Sequence, residues 1–255
     1  MANLKSFGKE TTIFLRKIFS ETITRRMESG EKRFDLIDIL IEIKKNSSDE
    51  EIEGFKFDGD DLMAQAANFF SGGFDSSTIP IAFTLYEFAL QLEIQSTLRK
   101  EILEALNDSD GEVTYNMIMS LSYLDMVMSE TLRKYPSLGF LNRMAKRNYK
   151  VKKHNLIIEK DTPVYMSVLG LHYDPKYFPN PDIFNPERFN EKNKYIIPQD
   201  VYSPFERSQP KGFGLLHTKL ALLKILSKYE VTPCKKTSIP VEIDPRGAMT
   251  VPLNG

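Results

Sequence analysis

At 255 residues the chain can bury a substantial core, as one large domain or two ordinary ones. Its 34 Lys and Arg nearly cancel its 35 Asp and Glu, which removes any global charge argument for a nucleic-acid partner. A single cysteine, Cys234, excludes an intramolecular disulfide framework and a multi-cysteine metal site, and no stretch approaches the roughly 18 apolar residues of a membrane span.

The N-terminal segment meets charge at Lys5, Lys9 and Glu10 without a long apolar run, so no signal peptide is expected. Phe14, Ile18, Phe19 and Ile23 form an apolar stripe at helical spacing, set against Arg16, Lys17 and Arg25. Residues 34–45 form a second amphipathic segment, closed by the polar Asn46–Ser47–Ser48. From about Asp58 to Gln91 the helical pattern is apolar on most faces, as expected of a buried central helix. Pro80 should kink or break it. A charged amphipathic helix follows over 92–106, then a turn at 107–111; residues 121–135 are helical up to Pro136.

Beyond Pro136 the character changes. Residues 149–151, 156–159 and 163–166 read as short strands separated by polar positions. Residues 178–189, crowded with Pro179, Pro181 and Pro186, read as ordered irregular coil. A last helix is expected over 215–229 and terminal strands over 241–251. With no internal repeat and no flexible linker, the expectation is one domain over 1–255, mainly α with a small β region. It is helical over 1–135, with strands, coil and the last helix over 136–255.

Four patterns stand in order along this chain. Within the long helix lies Phe69–Phe70–Ser71–Gly72–Gly73–Phe74–Asp75–Ser76–Ser77. Glycine inside a helix costs about 1 kcal/mol relative to alanine, so two together imply a close approach to the backbone or a bend. Taken alone, a helix crossing with a local serine bend explains it equally. Glu130–Thr131–Leu132–Arg133 puts an acid and a base on one helix face, a common and weak surface pair when isolated. Pro186–Glu187–Arg188–Phe189 follows Leu171–His172–Tyr173–Asp174–Pro175 and Phe178–Pro179–Asn180–Pro181, a long proline-rich match that chance does not readily supply. Last come Tyr202–Ser203–Pro204–Phe205 and Phe213–Gly214–Leu215–Leu216, flanking the cysteine-free Glu206–Arg207–Ser208–Gln209–Pro210–Lys211–Gly212.

Together these resemble the cytochrome P450 family, the haem-thiolate monooxygenases, and the style of the helices looks like the insect microsomal branch. The resemblance implies a truncated form of that fold. The glycine pair Gly72–Gly73 would open the oxygen-binding groove, with Gly72 for the usual alanine. Asp75 and Ser76, the latter for the usual threonine, would be the catalytic groups that relay protons to bound dioxygen. Glu130, Arg133 and Arg188 would form a buried ionic triad that locks the coil beneath the haem, a role in fold specificity more than in stability. Pro204–Phe205 and Phe213–Gly214, with Lys219, match the flanks of the ligand loop F-x-x-G-x-R-x-C-x-G, so Phe205 would border the cofactor. Arg143 sits at a propionate-contact position; a solvated arginine before a strand accounts for it as well.

The middle of the ligand loop is a few residues short and has lost both the axial cysteine and the preceding arginine. In the family that thiolate pushes electron density toward O–O cleavage. Cys234 cannot replace it, because about 15 helical residues separate it from the loop, on the order of 20 Å. His217, one turn into the last helix, reads as a surface or packing residue, and His154 and His172 lie in loop contexts without metal-site spacing. The resemblance covers nearly all of the chain yet corresponds to the C-terminal half of a family member. The membrane anchor, the proline-rich hinge and the helices roofing the substrate pocket are therefore expected to be missing, leaving apolar surface uncovered and solubility marginal.

Two function classes stay open. One is an oxidoreductase fragment, with haem as cofactor by family, a small lipophilic substrate, an NADPH-dependent reductase as partner and the cytosolic face of the endoplasmic reticulum as location. It is inactive as it stands, because the thiolate ligand is absent. The other is a non-catalytic scaffold or interaction protein, including a pseudogene or mis-spliced product, which without the anchor would lie in the cytosol.

Overall fold

The computed structural model describes residues 8–46, 59–152, 154–198, 200–202, 204, 212–247 and 249–253. It is mainly α with two small antiparallel sheets, and its contacts divide it into two compact units, Met1–Phe74 and Asp75–Gly255.

In the first unit, helix α1 (Lys9–Ser29) buries Leu15, Ile23 and Arg26, with Phe19 half-buried between them. The face turned inward is therefore the 15–19–23–26 row. Phe14 and Ile18, expected in the stripe, lie one position off that row and are exposed. Gly30 ends α1 in the left-handed conformation at φ 66°, its N–H donating to the Arg26 carbonyl at 3.1 Å. Helix α2 (Leu36–Asn46) is held to α1 by Arg26, whose guanidinium donates to Asp38 at 2.8 Å and to Asp35 at 3.1 Å. Asp38 in turn accepts the Arg33 and Phe34 amides, both at 2.6 Å. Ile23, Leu40, Ile41, Leu62 and Ala66 form the core of this unit.

Helix α3 (Gly59–Leu90) runs through both units, and Pro80 does not break it. A proline here removes one rung, the N–H that a regular helix would donate to the Ser76 carbonyl, and the rest of the ladder continues. Burial along α3 also departs from expectation. Leu62, Ala66, Ile79, Phe83 and Phe88 are buried, whereas Phe69, Phe70 and Phe74 are 46%, 55% and 59% exposed.

In the second unit, α4 (Leu92–Asp108), α5 (Tyr115–Ser120), α6 (Ser122–Lys134) and α8 (Gly212–Leu226) surround one core of Phe88, Leu98, Ile102, Leu124, Val127, Met128, Leu222, Leu223 and Leu226. Helix α5 is absent from the sequence reading because six residues are too few for a period. Its one local signal is Thr114, whose hydroxyl accepts the Met117 amide at 3.2 Å. The start of α6 is capped from another helix, Glu101 of α4 accepting the Tyr123 and Leu124 amides at 2.8 and 3.0 Å. Gln95 clamps the chain leaving α8, accepting the Val231 amide at 2.7 Å and donating to its carbonyl at 2.9 Å.

Strand β1 (Phe140–Met144) pairs antiparallel with β4 (Pro163–Ser167), and β2 (Tyr149–Val151) with β3 (Leu156–Ile158). Sequence reading missed β1 because Phe-Leu-Asn-Arg-Met neither alternates nor carries a β-branched residue; its pairing with β4 makes it a strand. The expected terminal strands over 241–251 reduce to an isolated bridge between Ile243 and Pro252. Pro245 and Pro252 lack donors and Gly247 weakens extension, so no ladder propagates.

Replacing Gln95 with Ala should lower stability by about 1–3 kcal/mol, since it strands two backbone groups at Val231. The neighbouring, exposed Ser96→Ala should be near neutral. Urea unfolding of the two variants makes the comparison.

Candidate functional site

The proline-rich coil is organised around two arginines. Helix α6 places Glu130 and Arg133 one turn apart, both with fully buried side chains. They form a bidentate pair, Arg133 Nε to Glu130 Oε2 at 2.7 Å and Nη2 to Oε1 at 2.9 Å. The remaining Arg133 donors reach the His172 carbonyl at 2.9 Å and the Pro181 carbonyl at 2.7 Å. Arg188, from the 3-10 turn Pro186–Phe189, lies 3.4 Å from Glu130 and donates to the carbonyls of Pro179, Asn180 and Ile183 at 2.6, 2.8 and 3.3 Å. Glu130, Arg133 and Arg188 are thus brought together, and the coil's carbonyls, which have no ladder to join, are satisfied by guanidinium N–H groups.

Behind Arg133 lies His172, at the end of the short helix α7 (Val168–His172) and not in a loop as its sequence context implies. Its Nδ1 donates to the Arg133 carbonyl at 3.0 Å, and its ring stacks on Tyr202 at 5.5 Å. Burial, with the Arg133 charge adding to it, holds this imidazole down at about 4 from its ordinary 6.5, so it is neutral near pH 7. Burial also raises the Tyr202 phenol, which donates to the Ser129 carbonyl at 2.9 Å.

The groove motif falls on both sides of the unit boundary, and each part is described on its own side. In the first unit Gly72 is exposed and Gly73 half-buried, and a Cβ at either would meet nothing within 4 Å. Among the described residues, none stands where a side chain on either glycine would be. In the second unit Asp75 is exposed and Ser76 half-buried. Ser76 meets the first turn of α8, where a Cβ on Gly214 would stand 3.6 Å from its Oγ.

Arg143 is exposed on β1, opposite Val164, with Nη1 donating to the Asn142 carbonyl at 2.7 Å. Phe205 and the loop 206–211 lie outside the described residues. Cys234 is exposed in a turn after α8, where hydrogen bonding with Thr237 holds its thiol below the ordinary value; Thr237 Oγ1 lies 3.6 Å from Sγ. His217 is exposed on α8, and among the described residues no group of three or more His, Cys, Asp and Glu could hold a metal ion.

A polar seam between α3 and α6 escaped the sequence reading. Buried Glu87 accepts from Tyr135 Oη at 2.6 Å, Lys134 Nζ at 2.8 Å and Gln91 Nε2 at 2.7 Å. One turn earlier, Thr84 and Thr131 share a hydrogen bond of 2.9 Å. Burial and the Glu87 carboxylate hold the Tyr135 phenol far above its ordinary value. Only the i,i+4 spacing of Glu87 and Gln91 was visible in one dimension; the partners on α6 lie over forty residues away.

A family profile described as Cytochrome P450 matches residues 3–255. The chain is similar to Cytochrome P450 6k1 of Blattella germanica, 41% identical over 98% of the chain and 51% of that relative. Cytochrome P450 6j1 of the same species is 42% identical over 99% of the chain and 50% of its own length. Probable cytochrome P450 6g2 of Drosophila melanogaster is 39% identical over 96% and 50% respectively. The chain spans about half the length of the curated relatives it matches.

Arg133→Ala leaves the Glu130 carboxylate buried without its bidentate partner and should cost about 3–5 kcal/mol, measured by urea unfolding. Stability should also fall with pH through His172. The unfolded chain takes up its proton near 6.5 and the folded chain only near 4. The contribution of the neutral ring is therefore complete above about 6.5 and lost as pH falls toward 4, by up to about 3 kcal/mol. His172→Gln should flatten the unfolding midpoint over that window relative to the parent chain.

Proposed function

Because the chain belongs to the cytochrome P450 family, we propose that it descends from a haem monooxygenase and does not complete that reaction in its present form. The ancestral chemistry in this reading is insertion of one oxygen atom of dioxygen into a small lipophilic substrate. An NADPH-dependent reductase supplies the electrons at the cytosolic face of the endoplasmic reticulum. Among the described residues, no helix is long and apolar enough to cross a membrane.

One observation carries the loss of activity. Haem is the family's cofactor, and its thiolate ligand belongs between Phe205 and Phe213, where this chain has no cysteine. The only sulfhydryl, Cys234, stands exposed in a turn on the far side of α8 and is engaged with Thr237. The donor set does not fit a thiolate-ligated haem. In the ancestral enzyme Asp75 and Ser76 are the proton-relaying pair, Gly72 and Gly73 open the groove, and Arg143 and Phe205 border the cofactor. In this reading the same positions no longer serve that chemistry, because the ligand is missing from the loop.

A non-catalytic scaffold is the second reading, and the complete Glu130–Arg133–Arg188 cluster favours it. A buried ion pair missing one partner is strongly destabilising, so a triad with every guanidinium nitrogen engaged fits a chain that still folds.

The reduced, carbon-monoxide-treated chain with added haemin is expected to show no thiolate-type Soret band. Reductase-dependent oxidation of a general lipophilic substrate should be absent from both the parent and Ser76→Ala. A thiolate band, or turnover that collapses in Ser76→Ala, would falsify the reading.

A further inference from the structure

Strand β1 pairs with β4 in a two-stranded sheet, and among the described residues no third strand joins it. The parity of its hydrogen bonds fixes which backbone groups face outward. The Ala145 amide donates to the Thr162 carbonyl and the Val168 amide to the Gly139 carbonyl, both at 3.0 Å. Odd-numbered residues of β1 therefore bond to β4, and Phe140, Asn142 and Met144 turn their N–H and C=O groups to the outer edge. All three residues are exposed. The Asn142 carbonyl accepts from the Arg143 guanidinium at 2.7 Å, a side chain standing in for a strand amide. Edge strands are ordinarily blunted by proline, bulges or charge. Strand β4 is blunted in this way, with Pro163 at one outward position and Ser167, at the other end, accepting the Gly170 amide at 3.0 Å where α7 begins. Strand β1 has no proline and pairs without a bulge, and its one charge, Arg143, lies on the opposite face from Phe140, Asn142 and Met144.

We infer that this edge is an interface for a second copy of the chain, β1 pairing antiparallel with the partner's β1 about a two-fold axis at Asn142. The register is self-complementary. Asn142 faces the partner's Asn142 and Phe140 faces the partner's Met144, each pair exchanging both N–H···O bonds because all three residues point outward. Centred there, every outward residue of β1 meets another, and the Met144 thioether comes against the Phe140 ring. Arg143 lies opposite the partner's Leu141, so the strand's one charge does not meet its own copy head-on. Phe140, Met144 and Tyr165 are 50%, 62% and 64% exposed on the face that becomes continuous across the joined sheet, and Phe140 meets Tyr165 edge-on at 5.7 Å. Two strands alone are marginal, whereas four with an apolar face reach the ordinary size of a stable sheet. With a formal net charge of -1, two copies approach without appreciable repulsion. The inference does not depend on whether the chain binds haem.

Sedimentation of the full chain should show a dimer that Asn142→Lys weakens several-fold, by setting two ammonium groups opposite each other, and that Asn142→Glu weakens likewise. Mixing the two variants should restore it, because unlike charges then meet across the axis. The Asn142 amide bonds to nothing in β4, so both variants should keep the urea midpoint of the parent monomer. A parent chain that stays monomeric, variants that self-associate as the parent does, or a mixture that stays monomeric would each overturn the inference. Association through the exposed Phe69, Phe70 and Phe74 would be indifferent to residue 142, and so counts against it. Hydrogen exchange on the parent chain needs no variant to fold. The Phe140, Asn142 and Met144 amides should gain protection as concentration rises, while those of Leu141 and Arg143 are protected throughout. Outward amides that exchange at one rate at every concentration overturn the inference.

Discussion

The burial of the Arg133 guanidinium is the constraint on which the second unit depends. A charge removed from water is tolerated only if it is paired and hydrogen-bonded, and all three Arg133 nitrogens are engaged, on Glu130 and on the His172 and Pro181 carbonyls, with the rings of Phe178 and Tyr173 at 5.4 and 5.7 Å. Those partners come from α6, α7 and the coil beyond Tyr173, so one side chain fixes three stretches of chain. The coil cannot satisfy its own backbone through a helix or sheet, and Arg188 completes the work from the 3-10 turn. Such a cluster specifies one arrangement of chain more than it adds net stability, because removing two charges from water costs about what their attraction returns.

The same logic recurs where α3 meets α6. Thr84 with Thr131 and Glu87 with Lys134 and Tyr135 are polar pairs one turn apart on facing helices. Apolar contacts such as Phe83 stacked on Tyr135 at 4.1 Å would tolerate a shift of register. The hydrogen bonds would not, since each would leave a buried group unmet. The scaffold is thus specified by polar contacts at the far end of α3 from the groove. The triad and the seam are built from α3, α6, α7, the coil beyond Tyr173 and the 3-10 turn.

Gly72 and Gly73 have open space where a side chain would stand, and Phe69, Phe70 and Phe74 beside them are exposed. Phe70 stacks on Phe74 at 6.5 Å and meets Phe19 edge-on at 6.1 Å, so part of this aromatic surface packs on itself within the first unit. Contiguous apolar surface of this kind ordinarily meets something. On the side of the second unit, Ser76 meets Gly214.

How much of this was legible in one dimension follows from the reach of each interaction. The long helices, the strands over 149–166 and the coil at 178–189 were readable because period and proline content are local properties. The inward face of α1 was misread because Phe14 and Leu15 are equally apolar, and only the neighbouring elements decide which is covered. Helix α5 and strand β1 were invisible, the one too short for a period and the other a strand only through β4. By itself the sequence determined the family, from motifs in order, and the loss of the sulfur ligand, from composition alone. Only the tertiary structure decided that Glu130, Arg133 and Arg188 meet, that Glu87 and Gln95 carry buried polar networks, and that Ser76 lies beside Gly214 in the first turn of α8. The long-range contacts among these join residues 47 to 138 positions apart, and no local preference of the chain encodes them.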